Sequence, residues 1–247
     1  RHHVKDISVY TESFTKAFEN IYGRITEWCI LGLLPSYLER GNSSLVYMVD
    51  YLIRKSQHPM SGFYLYDFDK LKETLISLEK DNQKTLLVGV TYALLDFAEK
   101  CPVKLPHTTI METGGMKGRR KELTRVEVHE QLQKAFGKKE IHSEYGMTEL
   151  LSQAYAEKEG RFRCPKWMKV LIRDDEDPLT VQRSVYSGED HETKPLTGAI
   201  NVIDLANVYS CSFIATDDVG KLYPDDSFEV LGRLDGSDLR GCSLLTV

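Results

Sequence analysis

Apolar positions in the first part of the chain alternate between two rhythms. From about Ile7 to Tyr22 they recur at three- and four-residue steps, so that Tyr10, Phe14, Ala17 or Phe18, and Ile21 share one face of a predicted helix that Gly23 ends. Trp28 to Leu34 is apolar almost throughout and is stopped by Pro35, the pattern of a strand buried on both faces of a parallel sheet. A turn at Gly41-Asn42-Ser43-Ser44 offers an N-cap for helical periodicity from Leu45 to Ile53. The alternation then repeats. Phe63-Tyr64-Leu65 predicts a brief strand, and Asp67 caps a helix with Leu71, Leu75 and Leu78 on one face. Thr85 to Val90 is a strand before a helix from Tyr92 to Ala98, and Thr108 to Glu112 is a strand running into Thr113-Gly114-Gly115. Thr124 and Glu127 have capping-box spacing, Val128, Leu132 and Phe136 line one face, and Gly137 is placed as the stop. One more strand leads into Tyr145.

Strands alternating with helices predict a largely parallel α/β sheet over residues 1–153, with ligands at the carboxyl ends of its strands. From residue 154 to 247 the texture changes. Trp167 to Ile172, Gly198 to Leu205, Ser210 to Thr216 and Phe228 to Leu231 read as short strands separated by turn residues. Asp174 to Asp177 reads as a charged turn and Ser187 to Lys194 as a mobile loop. A β-rich second lobe, barrel-like and packed on the first, is the expectation.

Bulk composition narrows the classes without naming one. A chain of 247 residues can bury a sizeable core, and 41% apolar with 28% charged residues is ordinary for a globular protein. The net charge of −5 argues against non-specific nucleic-acid binding, while leaving room for a local basic cleft. No apolar run is long enough to span a bilayer and no secretory signal opens the chain. Five scattered cysteines (Cys29, Cys101, Cys164, Cys211, Cys242) lack metal-ligand spacing and fit a reduced cytoplasmic setting. Cys29, Cys101 and Cys211 sit in apolar runs and are expected in the core.

Chemistry concentrates in Ile141-His142-Ser143-Glu144-Tyr145-Gly146-Met147-Thr148-Glu149, a short strand entering a polar turn. Glycine lets a ligand approach the backbone, Thr148 can donate to a phosphate oxygen, and Glu149 is a hard oxygen ligand suited to Mg²⁺. The same residues would also serve as a plain loop before a capped helix. Three further stretches bear on the reading that follows: Glu112-Thr113-Gly114-Gly115-Met116-Lys117, Ile214-Ala215-Thr216-Asp217-Asp218-Val219-Gly220, and Leu231-Gly232-Arg233-Leu234-Asp235. Taken singly, each reads as a strand-to-helix turn, a strand or a hairpin end. Ionised Asp accepts hydrogen bonds only, which suits paired hydroxyls, and Arg is a five-donor fork fitted to oxyanions.

Together and in this order, the four stretches resemble motifs of the adenylate-forming superfamily of acyl-CoA synthetases, luciferases and peptide-synthetase adenylation domains. Tyr145-Gly146-Met147-Thr148-Glu149 resembles its Tyr-Gly-x-Thr-Glu motif. The resemblance implies that Gly114, Gly115 and Met116 flank adenine with Tyr145 and Gly146, that Asp218 binds the ribose hydroxyls, and that Arg233 reaches ribose or phosphate, with Asp235 marking a hinge. Thr148 and Glu149 are then catalytic, Glu149 as the metal ligand, and ATP or AMP with Mg²⁺ the cofactors. Asp217 stands where the superfamily has glycine and is expected to face solvent.

Two departures qualify the resemblance. The Ser/Thr/Gly-rich loop that grips the ATP phosphates is absent, with Arg1-His2-His3 resembling the residues just after it, so that loop is expected upstream. The small C-terminal domain with its catalytic lysine is also absent, so adenylation is expected to be slow or to borrow a cation. Asp238-Leu239-Arg240-Gly241-Cys242-Ser243-Leu244 resembles the tail of the acyl-protein synthetases of bacterial luminescence operons, as does the segment from Pro35 to Asn42. That branch implies a fatty acid activated as acyl-AMP and passed to a thiol: Cys242, a partner protein or CoA. A packed Cys242 in a final strand is the competing reading. A CoA ligase resembling phenylacetate-CoA ligases and a non-catalytic nucleotide-binding remnant are the alternatives for the whole chain. His142 is expected as a hydrogen-bonded strand residue lining the acyl pocket, because an ionised acid needs no base. Neither a Gly-x-Ser-x-Gly elbow nor a Gly-Lys-Ser/Thr phosphate loop is present.

Overall fold

All the described strands belong to one sheet. They are β1 (Cys29–Leu33), β2 (Gly62–Phe63), β3 (Thr85–Val90), β4 (Thr108–Thr113), β5 (His142–Tyr145), β6 (Ala154–Ala156), β7 (Phe162–Arg163), β8 (Met168–Arg173), β9 (Leu196–Asp204), β10 (Phe213–Leu222) and β11 (Phe228–Arg233). The helices are α1 (Ile7–Tyr22), α2 (Ser44–Ser56), α3 (Phe68–Lys80), α4 (Thr91–Lys100) and α5 (Arg125–Phe136). The computed structural model describes residues 3–34, 43–114, 123–174, 177, 179–182 and 194–234. Strand order is β2-β1-β3-β4-β5-β6-β7-β11-β10-β9-β8. Pairing is parallel from β2 to β5 and antiparallel from β5 to β8. β5 is therefore the seam, parallel on one edge and antiparallel on the other.

Local chemistry explains the α/β half. All of β1 and β3 is buried, as their unbroken apolar runs require of central parallel strands. Asp6, Ser43, Asp67 and Thr124 each cap a helix by accepting a backbone N–H, and Thr124 closes a full capping box with Glu127. Gly23 (φ +80°) and Gly137 (φ +65°) end α1 and α5 in conformations that a side chain would strain.

Apolar packing forms two clusters. The larger joins α1 to α5 with β1 to β4 and includes Phe14, Phe18, Leu31, Leu75, Phe97 and Phe136. The second lies under the antiparallel strands around Tyr145, Phe162, Ile200 and Phe228, with the Phe162 and Phe228 rings stacked at 5.3 Å between centroids.

Several features differ from the sequence reading. The β-rich stretch after residue 153 is present as β6 to β11, which continue the α/β sheet. β6 and β7 have only 3 and 2 residues, too few for alternation to register. The strand expected to end at Thr216 begins at Phe213 and runs through the whole acidic motif to Leu222, with a register shift between Ala215 and Val219 absorbing the two aspartates. Cys29 and Cys101 are buried as expected, but Cys211 is exposed. It precedes β10 beside the 72%-exposed Phe213, so its short apolar stretch never reaches a core. The segments expected as an acyl-site stretch (35–42) and as most of a mobile loop (187–193) lie outside the described residues, as do Glu176 and its neighbour in the charged turn.

Gly220 has a packing reason to be glycine. A Cβ there would stand against the Glu229 carbonyl oxygen and Ile200 Cδ1. Gly220→Ala should cost about 1–3 kcal/mol in urea unfolding, a loss that a change confined to ligand contacts would not produce.

Candidate active site

The carboxyl ends of β4 and β5 open onto a cleft of about 220 Å³ lined by Thr91, Glu112, Gly114, Arg125, Glu144 and Tyr145 among others. Adjacent strands put these groups there. β4 and β5 pair Glu112 with Ser143 and Thr113 with Glu144, so the two carboxylates lie one register step apart on opposite faces of the sheet. Gly114 (φ +65°) turns the chain out of β4, and its carbonyl accepts the Thr91 hydroxyl at 2.6 Å.

Tyr145 crosses the seam. Its phenol donates to Asp218 Oδ2 at 2.8 Å. Asp218 and Arg233 are register partners on β10 and β11, with Arg233 Nε 3.8 Å from Asp218 Oδ1 and Arg233 Nη2 2.9 Å from Asp217 Oδ2. Burial raises the Asp218 carboxyl above its ordinary range, against the Tyr145 hydrogen bond and the Arg233 charge, while Asp217 and Glu149 raise it further. Glu149 is thus near enough for its charge to act on Asp218. Asp217 is exposed, as expected, and also ties down Arg233.

The turn bearing Thr148 and Glu149 is held from below by Asp204, at 0% exposure. Asp204 accepts from Leu151 N (2.8 Å), Ser152 N (3.1 Å), Ser152 Oγ (2.6 Å), Ala206 N (3.0 Å) and Asn207 Nδ2 (3.3 Å). Asn207 Nδ2 also donates to the Glu149 carbonyl at 2.6 Å, which leaves the Glu149 carboxyl exposed. The Leu150 N–H closes the turn on Met147 O at 3.1 Å.

Of the residues singled out in the sequence, Tyr145, Asp218, Arg233 and Glu149 form one neighbourhood. Gly146 and Gly114 line the adjoining cleft, and Thr148 shares the turn with Glu149. Gly115, Met116 and Cys242 lie outside the described residues, as do Asp235 and the stretch 238–244. Among the described residues no group of three His, Cys, Asp or Glu side chains could hold a metal by itself. Magnesium beside a triphosphate needs only one or two carboxylates with phosphate oxygens, and the exposed Glu149 fits that need.

Other groups in the cleft were given no role in the sequence reading. Glu112 accepts from Thr91 Oγ1 at 3.1 Å and lies 3.7 Å from His129 Nε2 and 3.8 Å from Arg125 Nε. Burial works to raise its carboxyl, but His129 and Arg125 outweigh that and hold it low. Arg125 also donates to the Val230 carbonyl at 3.1 Å and covers the Phe162 ring at 5.0 Å, bridging α5 to β7 and β11. Desolvation pushes Glu144 up to about 7, partly offset by the Thr113 hydroxyl and reinforced by Glu112. Two carboxylates at strand ends were visible in the sequence as a signal. His129 and Arg125 were not, because only the docking of α5 brings them there. His142 is hydrogen-bonded to the Tyr22 hydroxyl at 3.1 Å, and desolvation with the Lys138 and His129 charges lowers it to about 4.

No family model and no curated protein sequence matches the chain. Solved structures do. MatB from Rhodopseudomonas palustris, in its apo form, aligns with a TM-score of 0.62 at 14% identity, over 91% of this chain and 44% of that one. O-succinylbenzoate Coenzyme A synthetase (MenE) from Bacillus subtilis, in complex with AMP, aligns at 0.57 and 18% identity, over 91% and 44%. The amide bond synthetase McbA from Marinactinospora thermotolerans aligns at 0.55 and 16%, over 92% and 45%. The chain therefore has the fold of the adenylate-forming enzymes. It spans less than half the length of these structures.

Two outcomes test the site as built. Asp204→Ala strands several buried N–H groups and should cost about 3 kcal/mol or more by chemical denaturation. Because the Glu144 carboxyl is raised to about 7 in the folded chain, its contribution to stability is present below its ordinary value of 4.5 and is lost as pH rises through about 7. Glu144→Gln should therefore gain stability relative to the parent between about pH 5 and about pH 8, measured as urea midpoints; a pH-independent difference would contradict the assignment.

Proposed function

We propose that the chain is the adenylating core of an AMP-forming acid ligase. A carboxylate oxygen of the acid attacks the α-phosphorus of ATP, the O–P bond forms, the bond to the bridging oxygen breaks, and pyrophosphate leaves. The observation that carries this reading is the convergence of Tyr145, Asp218, Arg233 and Glu149, from three separate stretches of sequence, beside a cleft at the strand ends.

Each residue has a task that its placement supports. An ionised carboxylate offers about four acceptor sites, so Asp218 can keep Tyr145 and Arg233 and still accept the two ribose hydroxyls. Gly114, with Gly115 and Met116 beyond it, would flank adenine opposite Tyr145 and Gly146. Thr148 would donate to a phosphate oxygen, and the exposed Glu149 carboxyl would hold Mg²⁺. The ion, when bound, screens the converging negative charges of acid and triphosphate. No base is required, since the acid enters ionised.

In a second step a thiolate attacks the acyl carbon, the C–S bond forms and AMP leaves. The resemblance of the tail supports Cys242 or a partner protein as acceptor and a fatty acid as substrate. That MenE is a Coenzyme A synthetase favours CoA as the acceptor instead. Cys29, Cys101, Cys164 and Cys211 are free thiols, and among the described residues no helix is long and apolar enough to cross a membrane. The free thiols support a reducing, cytoplasmic setting.

Glu149→Gln should lower acid-dependent ATP–pyrophosphate exchange by about 100-fold or more while AMP affinity changes little. Asp218→Ala should weaken AMP binding by about 1.5–3 kcal/mol in calorimetry. Exchange unaffected by the first change and AMP affinity unaffected by the second would reject these roles.

A further inference from the structure

Among the described residues that line the cleft, Arg125 at the start of α5 is the one cation. Its guanidinium is held from three sides. Nη1 donates to the Val230 carbonyl of β11 at 3.1 Å, and Cζ lies 5.0 Å from the centre of the Phe162 ring. The stem runs along Gly160, where a Cβ would come within 3.0 Å of Arg125 Cδ. A planar fork fixed in this way keeps its orientation when a ligand arrives.

Most of its donors are unspent. A guanidinium has five N–H groups, and the bond to Val230 is the one side-chain hydrogen bond that Arg125 makes among the described residues. Glu112 stands 3.8 Å from Nε, beyond hydrogen-bond reach. That carboxylate already accepts the Thr91 hydroxyl at 3.1 Å, with His129 Nε2 at 3.7 Å. The Tyr145 phenol is engaged with Asp218, and the Thr91 hydroxyl with Gly114 and Glu112. Arg125, 30% exposed, is thus the lining side chain with donors left for a ligand. Tying α5 to one carbonyl occupies a single N–H and needs no fork.

A purine held between Gly114 and Tyr145 turns its faces to them and an edge to the wall of Arg125, Val128 and Phe162. The edges of adenine carry N1, N3 and N7, ring nitrogens that accept hydrogen bonds and donate none, and a guanidinium is built to meet such acceptors. We propose that Arg125 is the base-reading residue of the cleft, donating to a ring nitrogen of the adenine. This rests on the adenylation reading above, which gives the faces of the base their neighbours and its edge none. Val230 and Glu112 position the fork from either side. β11 carries both the carbonyl that holds Arg125 and, further along, the Arg233 that pairs with Asp218, so base and ribose contacts share one strand. A charge-assisted bond in a part-buried cleft is stronger than its neutral counterpart in water, which makes the ring nitrogen worth reading.

The test uses the full chain with AMP and its 1-deaza, 3-deaza and 7-deaza analogues, each with one ring nitrogen replaced by C–H. Affinities come from calorimetry, and acid-dependent ATP–pyrophosphate exchange is measured beside them. The parent should bind one of the three analogues about 10-fold or more weaker than AMP. Arg125→Met, which keeps an apolar stem against Phe162 and has no donor, should bind AMP and that analogue within about 2-fold of each other. A residue that only packed α5 on β11 would weaken AMP and all its analogues by one factor, so a penalty that survives the substitution overturns the proposal. A parent that binds all four nucleotides alike overturns it too, and leaves adenylation standing. A penalty that Arg125→Met removes, without exchange for any acid, supports the contact and rejects adenylation. A parent that does not bind AMP rejects both. If the variant fails to fold, the parent decides alone: a loss confined to one ring nitrogen supports the edge donor, and equal affinities overturn it.

Discussion

Asp204 is the contact on which the candidate site depends. A carboxylate with no exposure to water is costly unless donors replace the lost solvent, and here five protein hydrogen bonds do so. The donors come from the chain just after the Thr148–Glu149 turn and from the residues following β9. Folding the carboxylate into this nest therefore fixes the distance between two segments some fifty residues apart in sequence. Ser152 extends the network to Ser13 of α1 at 3.1 Å, and Trp167 Nε1 donates to the same Ser13 at 2.9 Å. One polar cluster thus ties the turn, the antiparallel strands and the first helix. A network of this kind is stabilising only when complete, which makes it a sensitive joint.

With the turn pinned, β5 can act as a seam. Its parallel edge delivers Glu144 to the strand ends beside Thr113, and its antiparallel edge delivers Tyr145 to Asp218. Neighbouring residues on one strand thereby serve the two faces of the sheet. The Tyr145 ring also packs on Phe162 and Phe228, so the residue that reaches Asp218 is anchored in the smaller core. This arrangement needs no long loop to bring the groups together.

Much of the fold was legible in the sequence. The helix at Ile7–Tyr22 and the helix with Leu71, Leu75 and Leu78 inward carry both periodicity and caps, and local signals of that kind are decided within a few turns of chain. The central parallel strands β1 and β3 were legible as apolar runs. β6 and β7 were not, because segments of 3 and 2 residues have no period to read. Cys211 was misplaced for a related reason: a short apolar stretch does not say whether anything will cover it, and nothing among the described residues buries it.

By itself the sequence determined which residues could do the chemistry: a carboxylate suited to hydroxyls in Asp218, an oxyanion fork in Arg233, and a hard ligand in Glu149. Side-chain type sets donor and acceptor capacity before any folding occurs. Tertiary structure alone decided which of them meet. The Tyr145–Asp218 bond spans 73 positions and the Arg125 contact with Val230 spans 105. No local pattern encodes such pairings, because they exist only once the sheet has set strand order and register. Whether a carboxylate finds a cation depends on which helix docks beside it, and α5 brings Arg125 and His129 to Glu112.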